Sequence, residues 1–258
     1  MLHIGTSGWQ YADWRRAFYR GLPTARWLEA YSSAFATVEV NSTFYRLPGE
    51  GTLGKWAAAT PDDFVFVIKA SRYLTHIKRM AEPRQPVALL AERTAELGSK
   101  LGPILVQLPP SLRRDERRLE ALLAAFEKAT PGARVAFEPR HDSWHAEPVY
   151  EILRRHDAAL CWWDREGQRG PLERTASWIY LRLHQGRASP SPCYGSDALK
   201  TWSERILEHS SPDVDGYVFF NNDHRACAPR NAAQLARFAS RLGMGVSRVP
   251  EDLPPVAR

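Results

Sequence analysis

The stretch Ala36-Thr-Val-Glu-Val-Asn-Ser-Thr-Phe-Tyr-Arg-Leu-Pro48 joins a short apolar segment to several polar side chains. Its first five residues, 36–40, are typical of a buried strand. On an extended chain Glu39 and Asn41 share one face, and Val38 and Val40 share the other. Polar side chains at the end of an apolar strand commonly line the site of an α/β protein. If this strand borders a site, the other strands of its sheet should also end in polar side chains.

Eight apolar segments recur along the chain and are predicted to be strands. They lie at 2–6, 36–40, 64–69, 104–108, 134–138, 158–164, 178–184 and 216–222. Helical spacing of apolar residues predicts helices between most of them, near 25–35, 52–59, 87–101, 116–129, 148–156, 197–209 and 228–242. The crossover at 165–177 shows little helical pattern.

Alternation of strands and helices implies a parallel sheet. Eight such units in about 250 residues fit an α/β fold of the TIM type, a single (β/α)₈ barrel with parallel strands. We predict one barrel domain over residues 1–258, with an irregular tail at 246–258. A doubly wound open sheet is the alternative, but the Gly-x-Gly-x-x-Gly motif typical of that fold does not follow the first strand.

The composition is that of an ordinary globular protein. Of the 258 residues, 44% are hydrophobic and 25% are charged. The chain has no apolar run near the ~20 residues of a membrane span and no secretory signal at its start. A cytoplasmic location without a membrane partner is therefore predicted. The net charge of +6 permits an anionic ligand or nucleic acid but does not require either.

The three cysteines are Cys161, Cys193 and Cys227. An odd count without CxxC spacing argues against a disulfide framework or a zinc site. Cys161 lies inside an apolar strand and is expected in the core. Cys193 and Cys227 fall in loops that could approach each other.

Polar side chains lie at the end of every predicted strand, and in a barrel these ends meet at one mouth, where active sites are built. The set comprises Thr6, Glu39, Asn41, Lys69, Gln107, Glu138, Arg140, Asp164, Arg182, His184, Asn221, Asn222 and Asp223. A single polar strand end usually makes a cap or a loop hydrogen bond. Eight together favour a site, because buried charges are costly unless they are paired. A mutually neutralising structural cluster is the other explanation.

Glu39 and Glu138 are the predicted acid/base pair, with Asp164 as a third catalytic candidate. Two carboxylates that face one substrate can serve as acid and base, or as acid and nucleophile. A divalent metal held by these carboxylates and His184 is a weaker hypothesis, because the nearby cations would repel it. No cofactor is predicted. Lys69 could also form a Schiff base, although nothing in the sequence indicates a lowered pKa.

The cationic side chains suit a substrate with a phosphate or carboxylate group, which arginine binds in a bidentate manner. The loops after the seventh and eighth predicted strands form the common phosphate site of such barrels. Here the second loop leads to Asn231 at the start of the last helix, where free N–H groups attract anions. Aromatic loop residues such as Tyr45 could stack on sugar or nucleobase rings, or could cover the mouth as loop core.

The motifs at these positions resemble those of one family. They are Ile4-Gly-Thr-Ser-Gly-Trp9, Phe35 to Pro48, Phe64 to Lys69 with Thr75-His76, Leu105-Val-Gln-Leu-Pro-Pro110, Phe137-Glu-Pro-Arg-His-Asp-Ser-Trp144, Tyr180-Leu-Arg-Leu-His184, Phe220-Asn-Asn-Asp223 and Ala228-Pro-Arg-Asn-Ala232. In these motifs and in their order, almost the whole chain resembles the YecE-like proteins, the domain-of-unknown-function family 72. The resemblance implies a TIM-barrel fold and no settled activity. One departure is His184-Gln-Gly, where the family usually has His-Gly.

The sequence is compatible with three functions. The first is an enzyme of hydrolase or lyase type, acting at the mouth on a small or sugar- or phosphate-bearing molecule with an anionic group. Its substrate-binding residues would be Asn41, Tyr45, Lys69, Gln107, Arg140, Arg182, His184, Asn221, Asn222, Asp223 and Asn231. The second is nucleic-acid binding or processing, for which the net charge and the aromatic residues argue. The third is a non-catalytic barrel that binds a small ligand.

Overall fold

A computed structural model of the chain describes residues 1–211, 213–251 and 253. Its strands are β1 (Leu2–Thr6), β2 (Thr37–Val40), β3 (Val65–Lys69), β4 (Leu101–Gln107), β5 (Val135–Glu138), β6 (Ala159–Arg165), β7 (Gln168–Arg169), β8 (Ile179–Gln185) and β9 (Gly216–Phe220). All except β7 form a parallel barrel in the order β5-β4-β3-β2-β1-β9-β8-β6, which β5 and β6 close by pairing with each other. The two-residue β7 pairs antiparallel with β6. The predicted TIM-type barrel is confirmed.

Helices cover the outside of the barrel and occupy two of the loops at its mouth. They are α1 (Trp14–Ala17), α2 (Trp27–Ala34), α3 (Ser42–Tyr45), α4 (Thr52–Ala58), α5 (Arg84–Thr94), α6 (Glu116–Ala129), α7 (Glu147–Arg155), α8 (Ser196–Glu208) and α9 (Cys227–Arg241). A π-helix spans Tyr73–Ile77, and short 3₁₀ helices span Thr24–Arg26, Ala95–Lys100, Asp142–Trp144 and His224–Ala226. The helix predicted at 87–101 thus changes to 3₁₀ geometry after Thr94, and Gly98 breaks it with a φ of 53°.

The strands divide their side chains between two apolar cores. One core fills the barrel interior and comprises Val67, Leu105, Ala136, Ala159, Cys161, Trp178, Tyr180, Tyr217 and Phe219. The larger core lies between the barrel and its helices, where Leu160 and Trp162 of β6 belong. Because successive side chains of a strand point to opposite faces, every second residue continues one of these two layers toward the mouth. This alternation decides which polar strand ends face the barrel axis.

A disulfide joins Cys193, in the loop after β8, to Cys227 at the start of α9. The prediction against a disulfide was wrong for this pair, although the two loops do approach each other as suggested. Cysteine count and local spacing carry no information about two segments that meet because they follow neighbouring strands, here β8 and β9. Cys161 lies in the core as expected.

The far end of the barrel is closed in part by the chain after α9. Arg248 binds Asp63 through two N–H groups and donates to the carbonyl of Ser32. Of the tail predicted at 246–258, residues 252 and 254–258 lie outside the described residues. Among the described residues, no helix combines the length and apolar character needed to cross a membrane.

Candidate functional site

A buried ion-pair array lies at the centre of the barrel mouth. Arg182 of β8 donates from Nη2 to Glu39 Oε1 at 2.7 Å and from Nη1 to Glu138 Oε2 at 2.8 Å. The Tyr180 hydroxyl donates to the other oxygen of Glu39 at 2.6 Å. Both carboxylates are 0% exposed and Arg182 is 1% exposed. Side chains from β2, β5 and β8 therefore meet on the barrel axis, as their inward positions require.

This array keeps both carboxylates ionised. Burial alone would raise the pKa of Glu138, but the charges of Arg182 and Arg140 outweigh burial and hold that pKa well below its usual range. Glu39 follows the same pattern, since Arg182 and the Tyr180 hydroxyl overcome the effect of burial and lower its pKa. Neither group is suited to act as a proton donor near neutral pH. Both are suited to accept a proton or to stabilise positive charge.

Arg140 and His184 extend the array toward solvent. Arg140 Nη2 lies 2.5 Å from Glu138 Oε1 and 3.0 Å from His184 Nε2. The other ring nitrogen of His184 contacts the Asn221 side-chain amide at 3.1 Å. Burial lowers the pKa of His184 despite its contact with Glu138, so the ring is neutral at pH 7. The Arg140 side chain is 20% exposed, and its guanidinium lies 6.0 Å from the centre of the Trp163 ring.

Lys69, the last residue of β3, occupies the opposite side of the mouth. Its Nζ lies 4.3 Å from the centre of the Phe44 ring. Phe44 is held there because the buried Thr43 hydroxyl lies 2.8 Å from the carbonyl oxygens of both Val40 and Lys69. Burial and the charge of Arg182 lower the pKa of Lys69 to about 8, although Glu39 and Glu138 act in the other direction.

Asp223, which follows β9, is the third mouth carboxyl. Burial and the neighbouring charge of Glu39 together raise its pKa to about 7, against the lowering effect of the Tyr11 hydroxyl beside it. Its Oδ1 is buried and has no hydrogen-bond partner among the described residues. Asp223 is therefore a mouth carboxyl that retains a proton in part of the molecules at neutral pH.

Other buried polar atoms at the mouth lack partners as well. Within residues 1–211, 213–251 and 253, Asn41 Oδ1 and Arg140 Nε make no hydrogen bond. In the described part of the chain, Asn41 Nδ2 donates only to the Ser7 carbonyl, at 3.5 Å. Buried polar groups of folded proteins are nearly always hydrogen-bonded, so these atoms are the expected contacts of a polar ligand. We call Glu39, Asn41, Lys69, Glu138, Arg140, Arg182, His184, Asn221 and Asp223 the mouth cluster.

Three predicted site residues lie elsewhere, on the helix-facing side of the strands. Asp164 Oδ1 accepts from Tyr194 at 3.0 Å and Oδ2 accepts from Trp202 Nε1 at 3.1 Å. Asn231 Oδ1 accepts from the Tyr194 N–H and from Asn222 Nδ2, both at 2.9 Å, and Asn231 Nδ2 donates to the Tyr194 carbonyl. We call Asp164, Tyr194, Trp202, Asn222 and Asn231 the outer network. It anchors the loop after β8 and gives Asp164, Asn222 and Asn231 positions apart from the mouth cluster.

Two predicted binding residues lie at the rim. Gln107 continues the inward face of β4 and is partly buried, and Tyr45 is 80% exposed against the edge of Phe44. The sequence predictions missed Tyr180 and Trp163, which precede the chosen polar strand ends by one or two positions. They also passed over His76 of the π-helix, which meets Phe44 edge-on at 5.0 Å. A strict two-residue alternation back from His184 could have identified Tyr180.

The described residues contain no group of three or more His, Cys, Asp or Glu side chains arranged to hold a metal ion. Glu39 and Glu138 are occupied by guanidinium groups, so a cation at the mouth would have to compete with Arg182 and Arg140.

Comparisons with known proteins identify a family of unknown function. A sequence model described as "Protein of unknown function DUF72" matches residues 3–255. UPF0759 protein YunF of Bacillus subtilis is 26% identical and covers 91% of this chain and 93% of its own length. UPF0759 protein YecE of Escherichia coli is 28% identical over 57% of this chain and 51% of its own length.

Solved structures show the same architecture. The crystal structure of a DUF72 family protein from Thermotoga maritima is 27% identical, with a TM-score of 0.75, and covers 94% of this chain and 99% of that chain. A fusion of a xylose isomerase-like TIM barrel with 4-hydroxyphenylpyruvate dioxygenase matches with a TM-score of 0.54 at 15% identity, over 98% of this chain and 46% of the fusion. The second similarity concerns the fold alone.

Proposed function

This chain belongs to the DUF72 family, and we propose that it is an enzyme acting at the mouth of its barrel on a small molecule with a carboxylate or phosphate group. Hydrolase or lyase chemistry suits the mouth cluster best. The observation that carries the proposal is the Glu39–Arg182–Glu138 array, whose members are at most 1% exposed. Buried ion pairs are often no more stabilising than apolar packing, so stability alone gives little reason to place three charges in a barrel core.

The charges at the mouth favour an anionic substrate group. Glu39 and Glu138 contribute two negative charges, and Lys69, Arg140 and Arg182 contribute three positive charges when Lys69 is protonated. One positive charge is left in excess, before Asp223 is counted. Arg140 is the proposed anchor, because it is partly exposed and its Nε has no partner among the described residues. A guanidinium binds carboxylate and phosphate groups in a bidentate manner.

The sequence predicts Glu39 and Glu138 as an acid/base pair, but the proposed roles of these two carboxylates do not include that of the acid. Both stay ionised and are proposed as a base and as an electrostatic stabiliser. The proposed proton donor is Asp223, whose pKa of about 7 keeps part of the population protonated at neutral pH. Neutral His184, whose Nε2 lies 3.3 Å from Glu138 Oε1 and 3.0 Å from Arg140 Nη2, is a second group that can move a proton.

Anion binding gives the first test. Isothermal titration calorimetry with inorganic phosphate and with oxalate should show binding to the wild-type protein, and Arg140→Gln should weaken it by about tenfold or more, since a charge-assisted pair contributes roughly 1.5–3 kcal/mol. Arg165→Gln is the matched control, because Arg165 is exposed at the end of β6. Absence of binding to the wild type, or equal affinity in both variants, would contradict the proposed site.

Turnover gives the second test. Phosphate monoesters, sugar phosphates and hydroxy acids should be screened with the wild type, Glu138→Gln and Arg165→Gln. The proposal expects a conversion that Arg165→Gln retains and Glu138→Gln loses. Anion binding without turnover would favour the non-catalytic barrel. Binding of RNA or DNA that falls steeply with salt and competes with phosphate would favour the nucleic-acid function.

We extend the proposal to a cytoplasmic location, as the sequence suggests. The Cys193–Cys227 disulfide supplies a test, because disulfides are rare in the reducing cytosol of mesophiles. Alkylation of thiols in acid-quenched cells of the source organism should find this pair largely reduced if the protein resides there. A fully oxidised pair would favour an oxidising compartment.

A further inference from the structure

We propose that Lys69 is a catalytic residue whose amine forms a covalent iminium with a substrate carbonyl, which makes the protein a lyase for carbonyl compounds that carry an anionic group. This inference rests on the proposed function and specifies its chemistry. In this chemistry the Lys69 amine bonds to the carbonyl carbon of the substrate, and Arg140 binds the anionic group of the substrate.

The position of Lys69 separates it from the other cations of the mouth cluster. Arg182 and Arg140 are bound to Glu138, and Arg182 also binds Glu39. Lys69 forms no ion pair with any described residue, although it is only 9% exposed. Its Nζ lies over the face of Phe44. A lysine that served to neutralise the array would contact a carboxylate, whereas the Nζ of Lys69 lies over the face of an aromatic ring.

The environment also supplies the neutral amine that the reaction needs. Only an uncharged amine attacks a carbonyl, and a desolvated lysine beside other cations is the usual way to obtain one. With a pKa of about 8, about a quarter of the Lys69 side chains are neutral at pH 7.5. An ordinary lysine with a pKa near 10.4 is neutral in about 0.1% of molecules at that pH.

His76 contacts the same aromatic ring as Lys69 and is the proposed proton-transfer group for this amine. Its ring meets the Phe44 ring edge-on at 5.0 Å, on the same aromatic side chain that Lys69 contacts. Nδ1 of His76 pairs with the Thr75 hydroxyl at 2.9 Å, which orients the ring. Burial and the charges of Lys69 and Arg72 lower the pKa of His76, so it is neutral at pH 7 and can accept a proton.

The covalent step is balanced without a further reactant. The neutral amine attacks the carbonyl carbon, a C–N bond forms, and the carbonyl oxygen takes up a proton to give a carbinolamine. Loss of that oxygen as water leaves a protonated imine, so the ammonium form of Lys69 and the carbonyl compound yield the iminium and one water. The iminium then accepts the electron pair of a neighbouring C–C or C–H bond as that bond breaks. Breaking that bond releases a proton, carbon dioxide or an aldehyde with the proton of its former hydroxyl, and leaves an enamine. Protonation of the enamine carbon restores the iminium, and water hydrolyses it to the carbonyl product and the ammonium form of Lys69. Glu39 and Glu138, both ionised, stabilise the iminium cation.

The geometry indicates the substrate class. A 2-oxo acid or an oxo compound with a phosphate group would present its anion to Arg140 and its carbonyl to Lys69. The two side chains approach the array from different strands, β3 and the end of β5. A carbonyl compound without an anionic group would lack the contact with Arg140 and should react more slowly.

Reductive trapping tests the inference on the intact protein. Wild-type protein is incubated with pyruvate and sodium cyanoborohydride at pH 7.5, and the modified lysine is located by peptide mass spectrometry. We expect modification of Lys69 at least about tenfold faster than that of exposed Lys128, from the ratio of neutral amines. Acetone, which has no anionic group, should modify Lys69 several-fold more slowly. Lys69→Arg should lose the adduct, and Lys128→Arg should retain it.

A parallel phosphate titration separates this inference from the proposed function. Rapid trapping at Lys69 together with phosphate binding supports both. Phosphate binding with Lys69 modified no faster than Lys128 overturns the imine and leaves the anion site standing. Failure of both overturns both. Because the site of modification is read from wild-type protein, the result does not depend on whether the Lys69→Arg variant folds.

Discussion

Two groups of buried polar side chains lie at the same end of this barrel, and they differ in the face of the strands that carries them. The mouth cluster points to the barrel axis and includes polar atoms without partners among the described residues, such as Asn41 Oδ1, Arg140 Nε and Asp223 Oδ1. In the outer network, both oxygens of Asp164 accept hydrogen bonds and the Asn231 amide binds the Tyr194 backbone on two sides.

This difference distinguishes the mouth cluster, a candidate binding site, from the outer network, which stabilises the fold. A network that satisfies its own members has little left for a ligand, and the outer network follows this rule with Asn222 Oδ1 as its exception among the described residues. A cluster with unsatisfied donors and acceptors can bind a ligand through them. Residues of the mouth cluster should therefore govern affinity, and residues of the outer network should govern stability.

The largest effect is expected from Arg182→Met. This change leaves Glu39 and Glu138 buried without their counter-charge, and we expect the free energy of unfolding at pH 7 to fall by about 3–5 kcal/mol in urea titrations. Because the folded-state pKa values of both carboxyls are lowered in the wild type, their stabilisation is present above the ordinary value of 4.5 and is lost as the pH falls below it. The deficit of Arg182→Met should therefore shrink in acid.

A triple variant sharpens this test of the mouth cluster. Glu39→Gln, Arg182→Met and Glu138→Gln together remove all three charges and should recover most of the free energy of unfolding that Arg182→Met alone loses. If the triple variant is as unstable as Arg182→Met alone, the array serves mainly to hold the barrel together, and the distinction from the outer network fails.

The disulfide should behave as part of the outer network. Cys193 and Cys227 tie the loop that holds Tyr194 to the start of α9, across a separation of 34 residues. Replacing both by Ser should lower the free energy of unfolding by about 2–4 kcal/mol and change phosphate affinity by less than about twofold, since the anchoring bonds of Tyr194 remain. Chemical denaturation and calorimetry measure the two effects. A large loss of affinity would place this loop in the site.

Lys69→Met should raise the free energy of unfolding, in contrast to Arg182→Met. Its folded-state pKa of about 8 lies below the ordinary value of 10.5, so the charged amine costs stability below pH 8, and this cost disappears as the pH rises toward 10.5. Removing the amine should raise the free energy of unfolding at pH 7 by about 1–3 kcal/mol, with the gain fading by pH 10.5. A pH-independent loss of stability would show that Lys69 is a structural residue.

The fold could be predicted because the strand–helix alternation and the number of units leave few alternatives to a barrel, and the family motifs, now confirmed, agree with it. The inward positions of Glu39, Glu138 and Arg182 followed from two-residue spacing along strands. Asp164 could not be placed in this way. Its strand, 158–164, is apolar on both faces, so the sequence alone does not reveal which face meets the axis.

Other features depend on distances that a sequence does not contain. The Cys193–Cys227 disulfide requires the segments after the neighbouring strands β8 and β9 to meet, and the contact between Lys69 and Phe44 requires α3 to lie over the end of β3. The lowered pKa of Lys69 likewise results from burial and from Arg182 on a distant strand. The sequence could identify these residue types but not their surroundings.

The central claim is that the inward face of the strands carries the binding site and the helix-facing side does not. Substitution of two asparagines tests it most directly, because Asn41 belongs to the mouth cluster and Asn231 to the outer network. Phosphate affinity by calorimetry and the free energy of unfolding should be measured for Asn41→Ala and Asn231→Ala. We expect Asn41→Ala to weaken binding by about three- to tenfold with little change in stability, since its Oδ1 has no partner among the described residues. Asn231→Ala should cost about 1–3 kcal/mol and leave affinity unchanged. The reverse result, or equal effects on both quantities, would contradict the assignment of the site to the inward face.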